Sequence, residues 1–408
     1  MNSLKNAWKS LGVGRTAVSL SIARMADAIG NSLLFVIIPL YVSALPNHLV
    51  HFPKVLMIGI LLSSYGLANA ILQPFAGAIS DRIGHHKRFI QAGLILIALA
   101  TLGFAFANRY LDLLGLRIAQ GLGLALEIPP TMALLAIVTH QSTRGGAMGF
   151  YTTMRMLGLT IGPLVGGYLH DHYGFNTVFY VGAGILFAAT LIVQFGVVHL
   201  KQENDSASKH SGIIDMSLIS PGIAASAVAT FLMASAFTLV TTLENEFNSR
   251  LNINAFGFSI AFSALMVGRL LFQVPLGHWS DKRGRKPFVL IGLIFMAVTT
   301  ALLGEVQSLF QFAGLRFLQG IAAAAIVAPA LAYAGDIAQR DSRGKQGQQM
   351  SIVTMGFGLG IAFGPLLAGV LSIVFFELAF WVDGFLCLVG SLVVYLFMSE
   401  TVQIPKNR

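Results

Sequence analysis

Residues 73–87 read QPFAGAISDRIGHHK, and residues 273–287 read QVPLGHWSDKRGRKP. Gln, Gly, Ser, Asp and Gly stand at the same relative positions in both stretches, and each stretch ends a long apolar segment. Two more motifs recur in the same order: LRIAQG at 116–121 with LRFLQG at 315–320, and GLTIGPLVGG from Gly158 with GLGIAFGPLLAG from Gly358. Three matched motifs in one order predict that the chain is a tandem duplication.

The composition predicts that the solvent of this chain is a lipid bilayer. Of 408 residues, 55% are hydrophobic and only 11% are charged, and the mean hydropathy of +0.75 lies far above the range of soluble proteins. Twelve apolar stretches are each long enough to cross roughly 30 Å of hydrocarbon as a helix. These predicted spans lie near 17–43, 55–79, 88–107, 111–138, 146–170, 176–198, 218–243, 256–277, 287–305, 309–335, 346–373 and 378–398.

The positive charge follows the predicted topology. Of 26 Lys and Arg residues, 18 fall in the tails and even-numbered loops, three (Lys54, Arg109, Arg250) fall in odd-numbered loops, and five fall inside spans. This positive-inside bias predicts a multi-pass protein of the cytoplasmic (inner) membrane with both termini in the cytoplasm. It also accounts for the basic pI without a nucleic-acid partner.

The duplication predicts an all-α membrane protein of 12 transmembrane helices in two pseudo-symmetric six-helix bundles. The polar stretch KQENDSASKHSGIID divides six spans from six, so we expect bundles at 1–200 and 217–408, joined by a cytoplasmic linker at 201–216. Parallel duplication about an axis along the membrane normal is a transporter design.

The repeated motifs carry a family resemblance. Over essentially its whole length the chain resembles the major facilitator superfamily. The loop signature of that family matches Gly77, Asp81, Arg82 and Gly84 in the first copy and Gly277, Asp281, Lys282, Gly284, Arg285 and Lys286 in the second. The family's fourth-helix motif resembles Arg117, Gln120 and Gly121, which recur in span 10 as Arg316, Gln319 and Gly320. The fifth-helix motif associated with antiporters resembles Gly158, Gly162, Pro163, Gly166 and Gly167, which recur in span 11 as Gly360, Gly364 and Pro365.

The resemblance implies a function as well as a fold. It points to the twelve-helix drug:proton antiporter family, in which the loop signature closes the two halves on the cytoplasmic side. His85 and His86 stand where the family usually has a basic pair, so we expect the charge of the first loop to depend on pH. The glycines at four-residue intervals are expected to pack one helix closely on another rather than to bind substrate.

Ionisable residues inside the spans are the candidate functional site, because a charge at that depth costs several kcal/mol unless it is paired or hydrated. Counted from the cytoplasmic ends, Asp27, Glu127, Arg155 and Arg269 lie roughly 14–18 Å deep and are expected to share one layer. Arg24, Asp27 and Asn31 follow i, i+3, i+7 spacing and so predict a polar stripe on the first span.

Asp27 and Glu127 are the candidate proton carriers. Burial favours the protonated form of a carboxyl group and a neighbouring arginine favours the ionised form, so such a group can exchange a proton as its surroundings change. Pro129 and Pro130 free backbone carbonyls beside Glu127. The alternative is a static salt bridge, for example between Glu127 and Arg155. Arg117 and Arg316 are expected to be structural or gating residues.

Other chemistries find little support in the sequence. The single cysteine excludes an intramolecular disulfide, no phosphate-binding loop or nucleophile elbow is present, and His170-Asp171-His172 is interpreted as a solvated loop without metal. We therefore expect no enzyme activity, no metal and no cofactor. A membrane-embedded hydrolase remains an alternative, since buried carboxylates would also suit one.

The sequence therefore predicts a monomeric secondary active transporter that exports an amphiphilic organic solute in exchange for protons by alternating access. Three cations at mid-depth (Arg24, Arg155, Arg269) against two carboxylates favour an anionic, zwitterionic or neutral amphiphile over a strictly cationic drug. The alternatives are a proton-coupled importer of a small metabolite on the same fold, and a receptor or scaffold that transports nothing.

Overall fold

The computed structural model describes residues 14–45, 52–139, 143–198, 220–340 and 346–401. Every regular element in these ranges is helical, as the sequence predicts. The helices of the first half are α1 (Arg15–Ala44), α2 (Lys54–Ile83), α3 (His86–Gly103), α4 (Tyr110–Val138), α5 (Arg144–Tyr173) and α6 (Phe175–Gly196). A 3-10 turn, Phe104–Phe106, continues α3.

The second half repeats this order with one short additional helix. Its helices are α7 (Pro221–Thr242), α8 (Glu244–Leu251), α9 (Ala255–Arg283), α10 (Arg285–Leu303), α11 (Leu309–Arg340), α12 (Gln346–Leu371) and α13 (Phe376–Phe397). The twelve long helices correspond one for one to the twelve predicted spans. The eight-residue α8 was not predicted, because its polar sequence ENEFNSRL has no apolar run.

Eleven helices of the described ranges are long and apolar enough to cross a membrane. The helix at the fifth predicted span, α5, has 30 residues but is not among the eleven. Its sequence carries Arg155 together with glycines, threonines and histidines in place of Leu, Ile and Phe, which lowers its hydropathy. The residues that reduce its apolar character are the same ones that the motifs above single out.

The chain forms two compact units. Unit 1 comprises Met1–Pro46 and Ala68–Ile213, and unit 2 comprises Asn47–Leu67 and Ile214–Arg408. The boundary at Leu67 lies within α2, so the first half of this helix belongs to unit 2 and its second half belongs to unit 1. The predicted division into bundles at 1–200 and 217–408 stays a prediction, and the predicted linker at 201–216 lies outside the described residues.

Each unit has its own apolar core. In unit 1, side chains of α1, α3, α4, α5 and α6 meet around Leu20, Leu94 and Tyr151. In unit 2, side chains of α7, α10, α11, α12 and α13 meet around Met233, Leu293 and Ile326. Lipid is as apolar as leucine, so close van der Waals packing rather than water exclusion has to hold such helices together.

The glycine series supplies the close packing in unit 1. A Cβ atom on Gly158, Gly162 or Gly166 would lie 2.5, 2.7 or 2.9 Å from the carbonyl oxygens of Met25, Ile29 and Leu33 respectively. Helix α5 therefore packs against the backbone of α1 along three successive turns.

Unit 2 has the same packing between α12 and α7. Cβ atoms on Gly356, Gly360 and Gly364 would overlap the carbonyl oxygens of Ala227, Phe231 and Ser235. Gly356 was not assigned to this motif from the sequence. Its four-residue spacing to Gly360 is the signal that could have found it.

The two repeated loops form similar turns. Gly84 (φ 69°) and Gly284 (φ 103°) both have a positive φ, which L side chains rarely adopt. The N–H of each glycine donates to the carbonyl of the serine four residues before it, Ser80 and Ser280, at 2.9 and 3.1 Å. The glycine at this position ends one helix and allows the next to begin immediately.

Candidate functional site

A buried polar cluster lies between α1 and α4 in unit 1. The Nη1 atom of Arg24 is 2.5 Å from Asp27 Oδ2 and donates to both carboxylate oxygens of Glu127, at 3.3 and 3.4 Å. All three side chains are buried. One guanidinium group therefore contacts two carboxylates that belong to different helices.

The predicted polar stripe of α1 directs these side chains to one side of the helix. Asn31 lies one turn beyond Asp27, and its Nδ2 donates to Asp27 Oδ1 at 2.5 Å. Asp27 thus accepts from Arg24 with one oxygen and from Asn31 with the other, which fixes the rotamer of its carboxyl group. The sequence predicted a polar stripe at these three positions but not the contacts among their side chains.

Helix α5 adds a second cation and a tyrosine to this cluster. The half-buried Arg155 exerts its positive charge on both Asp27 and Glu127. Tyr151 is 1% exposed and interacts electrostatically with Arg24, Glu127, Asp27 and Arg155, and its hydroxyl has no hydrogen-bond partner among the described residues. Sequence reasoning missed Tyr151, although its i, i+4 spacing to Arg155 puts both on one helix face.

The cluster is formally balanced, with two arginines and two carboxylates. Both carboxylates bind Arg24. If one of them is protonated, Arg24 can form its ion pair with the other carboxylate alone. Such an arrangement can take up or release one proton with a small local shift of the Arg24 side chain. The ion pair found at Glu127 is with Arg24, whereas the sequence suggested Arg155.

The two prolines after Glu127 lie inside α4, which continues to Val138. The hydroxyl of Thr131 donates to the carbonyl oxygen of Glu127 at 2.7 Å, so this carbonyl is occupied by a side chain. Pro129 also lies against α2, where a Cβ atom on Gly77 would be 3.2 Å from its own Cβ. Gly77 therefore allows α2 and α4 to approach each other within unit 1.

Arg269 belongs to unit 2 and has its own surroundings there. Its Nε donates to Gln273 Oε1 at 3.2 Å, and its guanidinium carbon lies 5.9 Å from the centre of the Phe357 ring. That Arg269 shares one membrane layer with Asp27, Glu127 and Arg155 stays a prediction.

The fourth-helix motif forms a buried network in unit 1. Arg117 Nη1 donates to Gln120 Oε1 at 2.9 Å, and Gln120 Nε2 donates to Thr101 on α3 at 2.8 Å. Arg117 and Gln120 are fully buried, and Gly121 is buried beside them.

Unit 2 repeats the network with its own residues. Arg316 Nη1 donates to Gln319 Oε1 at 2.8 Å, and Gln319 Nε2 donates to Thr300 on α10 at 2.9 Å. Arg316 also donates to the carbonyl of Phe237 at 3.3 Å. Gly320 allows the backbone of α11 to pack against Leu265 of α9. The structural or gating role expected of Arg117 and Arg316 stays a prediction.

The repeated loops carry different side-chain contacts. In unit 1, His86 Nδ1 lies 2.9 Å from Ser80 Oγ and 3.9 Å from Asp81 Oδ1. Asp81 and Arg82 are exposed at the end of α2. In unit 2, Arg285 pairs with Asp281 and donates to Ser280 Oγ at 2.9 Å.

The second loop has further partners that the sequence did not predict. Arg285 Nε lies 3.3 Å from Asp336 Oδ2 on α11. The carboxylate of Glu400 accepts the backbone N–H groups of Arg285 and Lys286 at 2.9 and 3.2 Å, and so caps the first turn of α10. Glu400 lies more than 100 residues away along the chain, so no local sequence pattern could have indicated this contact.

A lysine in each loop binds the end of a distant helix. Lys87 Nζ donates to the carbonyls of Gln194 and Val197 at the end of α6, at 2.7 and 2.8 Å. Lys286 Nζ donates to the carbonyl of Tyr395 near the end of α13, at 2.7 Å. A cation at a helix C-terminus is stabilised by the orphan carbonyls and the helix dipole.

The histidine-containing stretch interpreted as a loop is helical. His170-Asp171-His172 forms the last turn of α5, which ends at Tyr173. His170 Nδ1 lies 3.2 Å from Asp171 Oδ1, and the ring of His172 stacks on Tyr168. Among the described residues no group of three His, Cys, Asp or Glu side chains could hold a metal ion.

Twelve long helices, repeated in two sets of six and carrying buried ionisable residues, define a polytopic membrane transport protein. The family model of the Major Facilitator Superfamily matches residues 20–248 and 223–408. The chain belongs to this superfamily.

The proteins that are similar to the chain include the following two relatives. It is 29% identical over 342 residues to an uncharacterized MFS-type transporter, YuxJ, of Bacillus subtilis strain 168, covering 81% of this chain and 85% of that protein. It is 30% identical over 305 residues to the multidrug resistance protein MdtG of Salmonella arizonae, covering 72% of this chain and 74% of that protein.

A similar solved structure is that of a bacterial homologue of the human lysosomal transporter Spinster, in an inward-facing and occupied conformation. It superposes with a TM-score of 0.77 at 14% identity and covers 93% of this chain and 95% of that one. At this identity the likeness shows the fold. The membership of the superfamily indicates a small-molecule transporter in a membrane rather than an enzyme.

Proposed function

We propose that this protein exports an amphiphilic organic solute across the cytoplasmic membrane in exchange for protons, as a monomer that works by alternating access. The observation that carries the proposal is the buried cluster of Arg24, Asp27 and Glu127. Ionisable side chains at this position in a membrane protein are expensive, and they occur chiefly where a substrate or a proton passes.

The cluster can couple the two processes because its charge balance changes by one when a proton binds. With both carboxylates ionised, Arg24 and Arg155 neutralise them. When Asp27 or Glu127 takes up a proton, the cluster carries one net positive charge. The approach of a substrate and the release of the proton would then both act on the same guanidinium groups, so that one event influences the other.

The relatives favour export. A chain 30% identical is named a multidrug resistance protein, which supports an amphiphilic, drug-like substrate. The alternative of a proton-coupled metabolite importer has no comparable support. The excess of cations over carboxylates was the argument against a strictly cationic substrate. This argument is weakened because the charges of the cluster in unit 1 are balanced, and only Arg269 in unit 2 remains in excess among the predicted site residues.

The gate loops at 77–84 and 277–286 complete the proposal. The 18 cations of the tails and even-numbered loops, which include the basic residues of these two loops, favour a cytoplasmic location of both termini by the positive-inside rule. With this topology the loops lie on the cytoplasmic side. The contacts of Arg285 with Asp281 and Asp336 would then change as the transporter opens and closes on that side.

The test uses purified protein in liposomes that contain a pH-sensitive dye. Candidate amphiphiles are added to the parent protein, to Asp27→Asn and to Glu127→Gln, with Glu305→Gln as control because Glu305 is exposed outside the helices. We expect substrate-driven proton flux in the parent and the control, and its loss in at least one of the two cluster variants.

The variants also distinguish the carrier from its partner. A variant that binds substrate but moves no protons identifies the proton carrier. Full proton flux in both cluster variants would contradict the assignment of the site. Transport of a substrate by the parent without any proton flux would contradict proton coupling while leaving export intact.

A further inference from the structure

A further buried carboxyl group, that of Asp383, lies in unit 2 away from every motif of the sequence. Asp383 is on α13 and is 0% exposed. The hydroxyl of Ser235 on α7 donates to its Oδ1 at 2.6 Å, and its Oδ2 has no hydrogen-bond partner within the described residues. The sequence reading counted only Asp27 and Glu127 as buried carboxylates.

The helices around Asp383 supply no cation to neutralise it. Neither α7 nor α12 contains a Lys, Arg or His residue. In α10 the basic residues are Arg285 and Lys286 at its start, whereas α13 packs near Asp383 against Ala297, about three turns further on. Within the described ranges, the titratable group that interacts electrostatically with Asp383 is the buried thiol of Cys387, which lies one turn along α13.

Two arginines of unit 2, Arg250 and Arg316, are bound to other groups. Arg250 pairs with Glu377, about two turns before Asp383 on α13, at 2.5 Å. Arg316 donates to Gln319 and to the carbonyl of Phe237. Asp383 therefore differs from Asp27 and Glu127, whose charges are balanced by guanidinium groups.

A carboxylate buried without a cation is far more costly than a buried carboxylic acid. The Ser235 hydroxyl occupies Oδ1 as a donor, so Oδ2 is the oxygen that is left to carry a proton. We propose that Asp383 is a second proton-binding site, in which the acid form is held against Ser235 and the proton is exchanged with water during transport.

The exchange is a simple acid dissociation. When Asp383 becomes hydrated in another state of the cycle, its O–H bond breaks, the proton passes to water and the carboxylate keeps the electron pair. Ser235 can donate to Oδ1 in both forms, so it is a positioning residue. The backbone beside Ser235 is also where Gly364 of α12 packs, so a movement of α12 on α7 would alter the surroundings of the carboxyl group.

The proton-binding site can be measured directly by infrared difference spectroscopy on the purified full-length protein between acidic and alkaline buffer. A protonated carboxyl group gives a carbonyl stretching band that an amide or a carboxylate lacks. The variants are Asp383→Asn, Asp383→Glu and Ser235→Ala. Glu305→Gln is the control, and the spectra are repeated in an Asp27→Asn/Glu127→Gln background.

Besides the bands of the other carboxyl groups, we expect a protonated-carboxyl band of Asp383 that persists in the Asp27→Asn/Glu127→Gln background and in Glu305→Gln. It should disappear in Asp383→Asn and shift in frequency in Asp383→Glu and in Ser235→Ala, which loses the hydroxyl donor. A spectrum of Asp383→Asn identical to that of its background would overturn the proposal. If Asp383→Asn does not fold, the frequency shift in Asp383→Glu and Ser235→Ala decides in its place.

The role in transport rests on the proposed function, and liposome measurements separate the two. Asp383→Asn is expected to reduce substrate-driven proton flux and to alter its pH profile. If the parent moves substrate without protons but the protonated-carboxyl band of Asp383 is present, the proposed proton coupling is contradicted and the proton-binding site at Asp383 is supported. If the parent moves protons and Asp383→Asn matches it at every pH, the exchange at Asp383 is refuted while the antiport stands.

Discussion

His86 and Arg285 occupy equivalent positions in the two halves of the protein. Each is the first residue of a helix, α3 or α10, and each contacts the serine at the end of the preceding helix over 2.9 Å. The separation of 199 residues also relates Lys87 to Lys286 and Arg117 to Arg316. His85 is thus an extra residue in the first copy, and a single basic position, that of Arg285, has become a histidine.

The first prediction concerns the charge of the first gate loop. Arginine stays charged, so His86→Arg gives position 86 the permanent cation that Arg285 supplies in the second loop. The new guanidinium group should pair with Asp81 as Arg285 pairs with Asp281. Because Asp81 is largely exposed, this attraction contributes about 0.2–1 kcal/mol, so the effect on transport should be at most about fivefold. Transport rates of the variant and the parent at one fixed pH check it.

The control is Arg82→Lys, which changes an exposed side chain of the same loop and keeps its charge. It should leave the transport rate of the parent unchanged. A His86→Arg protein that transports at the same rate as the parent would show that the charge at position 86 has no part in the transport cycle.

The sequence predicted the elements that depend on local pattern. Spans follow from runs of apolar residues, and the turns at Gly84 and Gly284 follow from the repeated Gly-Asp spacing. The contact of Arg24 with Asp27 follows from their i, i+3 positions on one helix. In each case the information lies within a few residues of the chain.

Contacts between distant segments could not be predicted in the same way. The ion pair of Glu127 with Arg24 was not predicted, because depth counted from helix ends gives no rotation about the helix axis. Asp383 and Ser235 lie 148 residues apart and share no repeated motif. The cap of α10 by Glu400 likewise depends on the path of the chain after α13, which no local sequence pattern indicates.

The second prediction concerns that cap. Glu400→Ala removes the acceptor of the Arg285 and Lys286 N–H groups and should destabilise the start of α10 by about 0.5–2 kcal/mol. Hydrogen exchange at these two amides should become faster. Thr401→Val is the matched variant, since it removes only the hydroxyl contact with Asp336. Equal protection of both amides in Glu400→Ala and parent would contradict the capping role.

The third prediction compares two glycines of α5. A methyl group on Gly162 would meet the backbone of Ile29, whereas one on Gly149 would meet nothing within 4 Å. Gly162→Ala should therefore destabilise the protein by about 1–3 kcal/mol. Gly149→Ala should be neutral or stabilising by up to about 1 kcal/mol. Thermal unfolding in detergent measures both, and equal midpoints for the two variants would contradict the packing of α5 on α1.

The fourth prediction tests the topology with single cysteines. Cys387 is buried, so the parent should react little with a membrane-impermeant thiol reagent. In intact cells, Asn108→Cys in the predicted outer loop before α4 should be labelled. Asn204→Cys in the predicted linker should be labelled only after the membrane is permeabilised. Labelling of Asn204→Cys in intact cells would place the termini outside.

The fifth prediction is that Arg24 and Glu127 are energetically coupled. Arg24→Met leaves two buried carboxylates without their shared guanidinium group and should cost about 3–5 kcal/mol of stability. Adding Glu127→Gln to Arg24→Met removes one of those two carboxylates. The double variant should therefore be less destabilised than the sum of the single variants, by about 0.5–3 kcal/mol. Thermal unfolding of the four proteins gives this coupling. If the stability changes of the two single variants simply add in the double variant, Glu127 and Arg24 are not energetically coupled. Protonation of one carboxylate could then not affect the other carboxylate through the guanidinium group of Arg24.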